Sequence, residues 1–136
     1  MKNLALVLII SGIFIASACK KDKMSERFLF LTTPVWTTDS LLANEVNAGG
    51  PGGILEKFKG DARFKEDGTG YFGKYTGTWR FNNDETKITI VTDSLVLPII
   101  SDIIELTNIS LKIKTLIPNP VNPFEPIRIR MTFKSK

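Results

Sequence analysis

The chain has 136 residues, enough for a single domain. Its 18 Lys and Arg against 14 Asp and Glu give a net charge of +4, too small an excess to indicate a nucleic-acid-binding protein. No histidine is present, which excludes a Ser-His-Asp catalytic triad, and the single cysteine excludes an intramolecular disulfide and a cysteine-based zinc site. We therefore expect no metal, no cofactor, no nucleic-acid partner and no enzymatic activity.

Residues 1–19 have the features of a secretion signal. Lys2 supplies a positive charge, and the 15 residues from Leu4 to Ala18 carry none. An apolar run of this length is typical of the core of a signal peptide and is short for a membrane-spanning helix. Residues 16–18 are small, as a cleavage site requires. The alternative is an uncleaved anchor with a buried free cysteine.

Cys19 follows the small residues directly, and this arrangement resembles the lipobox of bacterial lipoproteins. The resemblance implies that the thiol takes a diacylglycerol, that a peptidase cuts before Cys19, and that acyl chains such as palmitate anchor the protein in a membrane. The charged stretch 20–23 resembles the start of Bacteroidetes lipoproteins. That resemblance implies an outer-membrane location, on either the periplasmic or the cell-surface face.

Three segments follow from these features: a signal peptide (1–18), a lipidated cysteine with a polar tether (19–27), and one domain (28–136). The stretch Lys20–Arg27 is charged and lacks apolar periodicity, so we expect no regular structure there. The glycine-rich stretch Ala48–Gly53 predicts a flexible connector. A phosphate-binding loop would need a Gly-Lys-Ser/Thr ending, which is missing.

The domain sequence predicts seven or eight short strands and no strong helix. Apolar and polar residues alternate over short runs, and turn residues separate the runs. The predicted strands are 35–42, 62–65, 70–75, 77–81, 87–92, 95–104 with a break at Pro98, 109–113 and 127–133, with a single helical turn at 54–59. Four prolines make 118–126 a long loop. This spacing favours an all-β antiparallel barrel or sandwich.

The order of these elements resembles the lipocalin-like domain of small Bacteroidetes lipoproteins. The resemblance covers residues 30–136 and rests on Trp36, the Asp67–Gly70 turn, Gly77–Trp79, the Asn83-Asp84 turn, Ile88–Ile90, and Ile104–Thr107 leading to Ser110–Ile113. It implies an up-and-down β-barrel, or a flattened relative of one. Lipocalins carry small apolar molecules inside the barrel, so the resemblance also implies a possible ligand of that kind.

Two groups of residues are candidates for binding. Six aromatic residues could line an apolar cavity or simply fill the core: Trp36, Phe64, Tyr71, Tyr75, Trp79 and Phe81. Five cations should lie on the outer face of the last two strands, either as a basic stripe for anionic groups or as a solvated face: Lys112, Lys114, Arg128, Arg130 and Lys134.

The function predicted from the sequence is non-catalytic. We expect a membrane-anchored lipoprotein whose domain binds a small apolar molecule or lipid. The alternative is an envelope module with a filled core that meets a protein or glycan through its outer faces and the proline-rich loop. A catalytic role would need a pair of carboxylates across a cleft, and nothing in the sequence fixes one.

Overall fold

The computed structural model describes residues 24–136. The predicted signal peptide, Cys19 and residues 20–23 of the predicted tether lie outside the described residues. The elements are helix α1 (Glu26–Thr32), strands β1 (Trp36–Ala43) and β2 (Val46–Asn47), a 3₁₀ turn (Glu56–Phe58), and strands β3 (Asp61–Phe64), β4 (Thr69–Phe72), β5 (Tyr75–Phe81), β6 (Lys87–Thr92), β7 (Ile99–Leu106), β8 (Ser110–Ile117) and β9 (Ile127–Ser135). Within the described part, no helix is long and apolar enough to span a membrane.

Eight of the strands form a closed antiparallel barrel. The sheet order is β1-β3-β4-β5-β6-β7-β8-β9, β9 pairs back onto β1, and the short β2 extends the far end of β1. All pairings are antiparallel, and neighbouring strands in the barrel are consecutive apart from β1 with β3 and β1 with β9. The predicted all-β up-and-down barrel is therefore confirmed.

Two β-bulges keep the correct side chains inside the barrel. Trp36 and Leu41 are both buried on β1, although an odd spacing would place them on opposite faces of a regular strand. A register shift between Thr38 and Ser40 inserts one extra residue and corrects the phase. A second shift, between Ile103 and Glu105, brings Leu106 of β7 back to the interior.

The two ends of the barrel differ. Following the antiparallel order, β1 starts at the same end as β5 and β7 finish, and short turns join strands there. We call this the closed end, because α1 packs beside it. The opposite, open end carries the long connections 48–60, 93–98 and 118–126. The proline-rich loop and the break at Pro98 both lie at this end, where the sequence predicts them.

Helix α1 fastens the closed end and is not expected from the sequence. Ser25 caps it, because the Ser25 hydroxyl accepts from the Phe28 backbone N–H at 3.0 Å and donates to the Glu85 carboxylate at 2.6 Å. The indole N–H of Trp36 donates to the Leu31 carbonyl at 3.0 Å. The helix takes in residues 26 and 27, which the sequence analysis assigns to an unstructured tether. Apolar contacts with the barrel, rather than helical propensity, hold this short helix.

One predicted strand is wrong. The sequence predicts one continuous strand over 70–75, but Gly73 has a φ of +61° and forms a tight turn between β4 and β5. Glycine adopts this conformation at less cost than other residues, and the turn divides the run of aromatic residues between two strands. The turn from Glu66 to Gly68 lies where the sequence predicts it, with Gly68 at a φ of +87°.

The Trp36 side chain should be the main link between α1 and the barrel. Replacing it by alanine empties a fully buried site, and we expect the free energy of unfolding to fall by about 3–5 kcal/mol. Trp36→Phe keeps most of the apolar bulk but leaves the Leu31 carbonyl without its donor, so an intermediate loss is expected. Urea unfolding followed by circular dichroism measures both.

The exposed Val91→Ala is the control, with an expected loss below about 1 kcal/mol. A Trp36→Ala variant no less stable than this control would contradict the assigned role.

Candidate functional site

The open end of the barrel contains an apolar cavity of about 470 Å³. Its walls come from β7, β8, β9, the 93–98 connection and the segment around the 3₁₀ turn. The lining residues are Ile54, Leu55, Phe58, Tyr75, Leu95, Val96, Leu97, Pro98, Ile99, Ile100, Thr115, Leu116, Ile117, Pro118, Ile129 and Met131. All but Tyr75 and Thr115 are entirely apolar, so the cavity favours an apolar occupant.

Part of the 48–60 connection covers the side of this cavity. Leu55 and Phe58 are buried, and the Phe58 ring lies 4.7 Å from the Tyr75 ring. The Lys57 carbonyl accepts from the Lys74 backbone N–H at 2.7 Å, which ties the segment to the β4–β5 turn. Apolar burial and this backbone hydrogen bond therefore both help to hold the cover in place.

Gly73 permits this attachment. A Cβ atom on Gly73 would lie 2.3 Å from the Lys57 carbonyl oxygen, and its φ of +61° disfavours any other residue. We expect Gly73→Ala to lower the free energy of unfolding by about 1–3 kcal/mol and to speed proteolysis within 48–60.

Gly50→Ala is the matched control. Nothing lies within 4 Å of the position its Cβ would take, so little change is expected. Equal effects of the two substitutions in urea unfolding and limited proteolysis would show that Gly73 does not hold the cover.

The six aromatic residues singled out from the sequence divide between several places. Tyr75 lines the apolar cavity. Trp36, Phe64 and Trp79 are buried in the core, with the Phe64 and Trp79 rings 5.6 Å apart and edge to face. Phe81 packs edge to face on Trp79 at 5.4 Å and is half-buried. Tyr71 alternates with buried neighbours on β4 and is half-exposed. The structure thus places most of these side chains away from the cavity.

The aliphatic residues that line the cavity were not singled out from the sequence as a site. Leu95, Ile99 and Ile117 have no chemical signature beyond their hydrophobicity, and the same is true of core residues. The available signal was their position. Ile99 follows Pro98, and Ile117 precedes the proline-rich loop, so both sit where strands meet long connections.

The five predicted basic-stripe residues lie on β8 and β9 and alternate with buried or half-buried residues. Lys112 pairs with Glu105 at 3.4 Å, Arg130 with Glu45 at 3.6 Å, and Lys134 with Asp39 at 3.3 Å. Lys114 and Arg128 form no ion pair within residues 24–136. Only Lys114 and Arg130 face each other directly across the two strands.

A groove of about 570 Å³ runs over this outer face, and we call it the charged groove. Its polar lining consists of Glu45, Lys87, Asp102, Lys114, Thr115, Arg128 and Arg130. Lys87, Asp102, Lys114 and Arg130 form a row across β6 to β9, because each is the direct cross-strand partner of the next. Lys87 and Asp102 also form an ion pair.

Four surface carboxyl groups have lowered pKa values. The Thr69 hydroxyl lowers the pKa of Asp67, and the Thr86 hydroxyl lowers the pKa of Asp84. The hydrogen bond from Lys87 lowers the pKa of Asp102. The Ser110 hydroxyl, followed by Lys112, lowers the pKa of Glu105. Each shift stabilises the ionised form in the folded protein.

These shifts predict loss of stability in acid. A carboxyl whose folded pKa lies below its unfolded value stabilises the fold above the unfolded pKa, near pH 4, and this contribution disappears as the pH falls through the folded value. The chain has no histidine to titrate between about pH 5 and pH 7. The urea midpoint should therefore be nearly constant in that range and fall below about pH 4. A midpoint that rose on acidification would contradict these assignments.

Comparison with known proteins supports the fold. No protein-family model matches the sequence, and no curated protein matches it. The structure is similar to bovine odorant binding protein, a lipocalin, solved in complex with a selenium-containing odorant, with a TM-score of 0.53 and 12% sequence identity. The similarity covers 86% of this chain and 77% of that chain. At this identity the likeness concerns the fold alone, and it confirms the predicted lipocalin-like barrel.

Proposed function

We propose that this protein holds a small apolar molecule in the cavity at the open end of its barrel, as a lipid-anchored, non-catalytic lipoprotein of the Bacteroidetes type. The cavity is the observation that carries the proposal. Its volume of about 470 Å³ falls within the usual range for small-molecule sites, about 300–1,000 Å³. Its lining is almost wholly apolar, so the main contribution to affinity would be removal of apolar surface from water.

The odorant-binding neighbour supports the same reading. That protein holds an odorant, a small molecule, on a barrel of the same fold. The location of the present cavity, at the end with long connections, gives a small molecule access from solvent past Val96 and Leu97, which are exposed at its rim. Dodecanol, which is apolar and uncharged, is a suitable probe.

Dodecanol binding to the full chain tests the proposal. The detergent-solubilised chain is immobilised on resin and washed free of detergent. Radiolabelled dodecanol is then added, and the bound fraction is counted at equilibrium. We expect saturable binding of one molecule per chain. Ile117→Trp places an indole in the cavity and should weaken binding at least about tenfold, because the ligand and the indole compete for one space.

Val91→Trp is the matched control, since Val91 is 40% exposed and does not line the cavity. Binding that does not saturate, or equal weakening by both substitutions, would overturn the proposal.

The anchor part of the proposal rests on Cys19 and on the position of the chain that follows it. Ser25 lies at the closed end, where it caps α1 and contacts Glu85. A lipid on Cys19 would therefore join the barrel at the end away from the cavity, which would leave the open end accessible. An outer-membrane location, with the barrel on the periplasmic or the cell-surface face, fits such an anchor.

Cys19→Ser tests the anchor. We expect this substitution to abolish incorporation of radiolabelled palmitate in bacterial cells and to move the protein out of the membrane fraction, because the thioether can no longer form. Asp22→Asn, three residues away, should leave both unchanged. Palmitate labelling that survived Cys19→Ser would rule out lipidation at this residue.

The titrating groups favour a non-catalytic role. A general acid at neutral pH needs a carboxyl with a raised pKa, and all four carboxyl shifts given above are downward. These carboxyls are also on the outer surface, where ordinary side-chain hydrogen bonds explain them.

One observation favours the alternative of a protein- or glycan-interaction module. Val121 and Phe124, on the proline-rich loop, are 91% and 92% exposed. Large exposed apolar side chains often mark contact sites. If the full chain takes up no dodecanol, this loop becomes the leading candidate for function.

A further inference from the structure

The apolar cavity and the charged groove lie on two sides of the same part of the barrel wall. Four residues line both of them: Ile100, Thr115, Leu116 and Ile129. Since the cavity and the groove share these residues, one molecule could occupy the cavity and the groove together if it can pass through the barrel wall at this place.

The wall is weakened at this place because β7 and β8 separate. Their pairing ends at Asp102 and Lys114, although β7 begins at Ile99 and β8 continues to Ile117. In the unpaired stretch, β7 pairs only with β6, and β8 pairs only with β9. One side-chain bond crosses the gap, from the Thr115 hydroxyl to the Ile100 carbonyl at 2.7 Å. We call this gap the slot.

The outer side of the slot combines apolar surface with unneutralised positive charge. Ile100 and Leu116 flank it and are 56% and 62% exposed. Lys87 and Arg130 are neutralised by Asp102 and Glu45. Lys114 and Arg128 also line the groove and form no ion pair with any residue of 24–136, although Lys114 lies opposite Asp102, which is already paired with Lys87. The groove thus offers two cations to a ligand.

We propose that the ligand is an anionic amphiphile whose single apolar chain occupies the cavity, passes through the slot by displacing the bond from Thr115 to Ile100, and leaves its head group in the charged groove beside Lys114 and Arg128. The inference rests on the proposed function and adds the class of ligand. Arg presents a planar set of donors that suits a carboxylate or phosphate, and Lys adds a second positive charge. Both head groups share this chemistry.

Three probes of twelve carbon atoms each, with different head groups, test the inference on the immobilised full chain: dodecanol, laurate and dodecyl phosphate. We expect at least one of the two anions to bind about tenfold or more tightly than dodecanol, since a hydrogen bond to a charged group contributes about that factor. The tighter of the two anions identifies the head group as carboxylate or phosphate.

A double variant, Lys114→Gln with Arg128→Gln, should reduce binding of the anion to the level of dodecanol and leave dodecanol unchanged. Lys65→Gln with Arg80→Gln removes the same charge from exposed positions outside the groove and is the matched control. It should change neither probe.

The outcomes separate the two levels of the proposal. Equal binding of all three probes, or equal effects of the two double variants on the anion, would show that the apolar site exists and the head-group site does not. Absence of saturable binding for all three probes would remove the proposed function, and the inference with it.

Discussion

The pairing of β9 with β1 is the contact on which the rest of the structure depends. Seven residue pairs join these strands, and they turn an open sheet into a barrel in which no long strand is left as an edge. Closure fixes the interior width, because eight strands leave room for side chains or for one small ligand. Closure also requires that each strand direct its apolar side chains inward along its whole length. This explains why β1 contains a bulge, between Thr38 and Ser40.

The size of the side chains decides where this interior is filled. At the closed end, Trp36 and Trp79 direct their indole N–H groups to the carbonyls of Leu31 and Lys65, at 3.0 and 2.8 Å. Both large rings are thereby buried with their polar atoms satisfied. At the open end the inward residues are mainly aliphatic, such as Ile117 and Ile129, and they leave the cavity unfilled. One barrel therefore has a solid end and a hollow end.

The sequence predicted the architecture because alternation and turn residues are local. Strand β6 has the predicted bounds, and β1 and β3 differ from theirs by one residue at each end. The sequence could not predict α1, since the contacts that hold it, apolar packing on the barrel and the hydrogen bond from Ser25 to Glu85, involve residues far away in the chain. The cavity was equally hidden. Whether Tyr75 or Trp79 borders an empty space depends on which strand ends lie together, and only closure of the barrel decides that.

The bulge in β7 connects the requirements of folding with those of a ligand site. It is needed to return Leu106 to the core, because Leu106 lies three positions after Ile103 and an odd interval places two residues on opposite faces of a regular strand. Bulges also bend a strand and increase its twist. Only two residue pairs, at Ile103 and Asp102, remain between this bulge and the point where β7 leaves β8. The bulge that the core requires near one end of β7 therefore lies close to the slot at the other end of the strand. The slot in turn lies between the apolar cavity and the cations of the outer face.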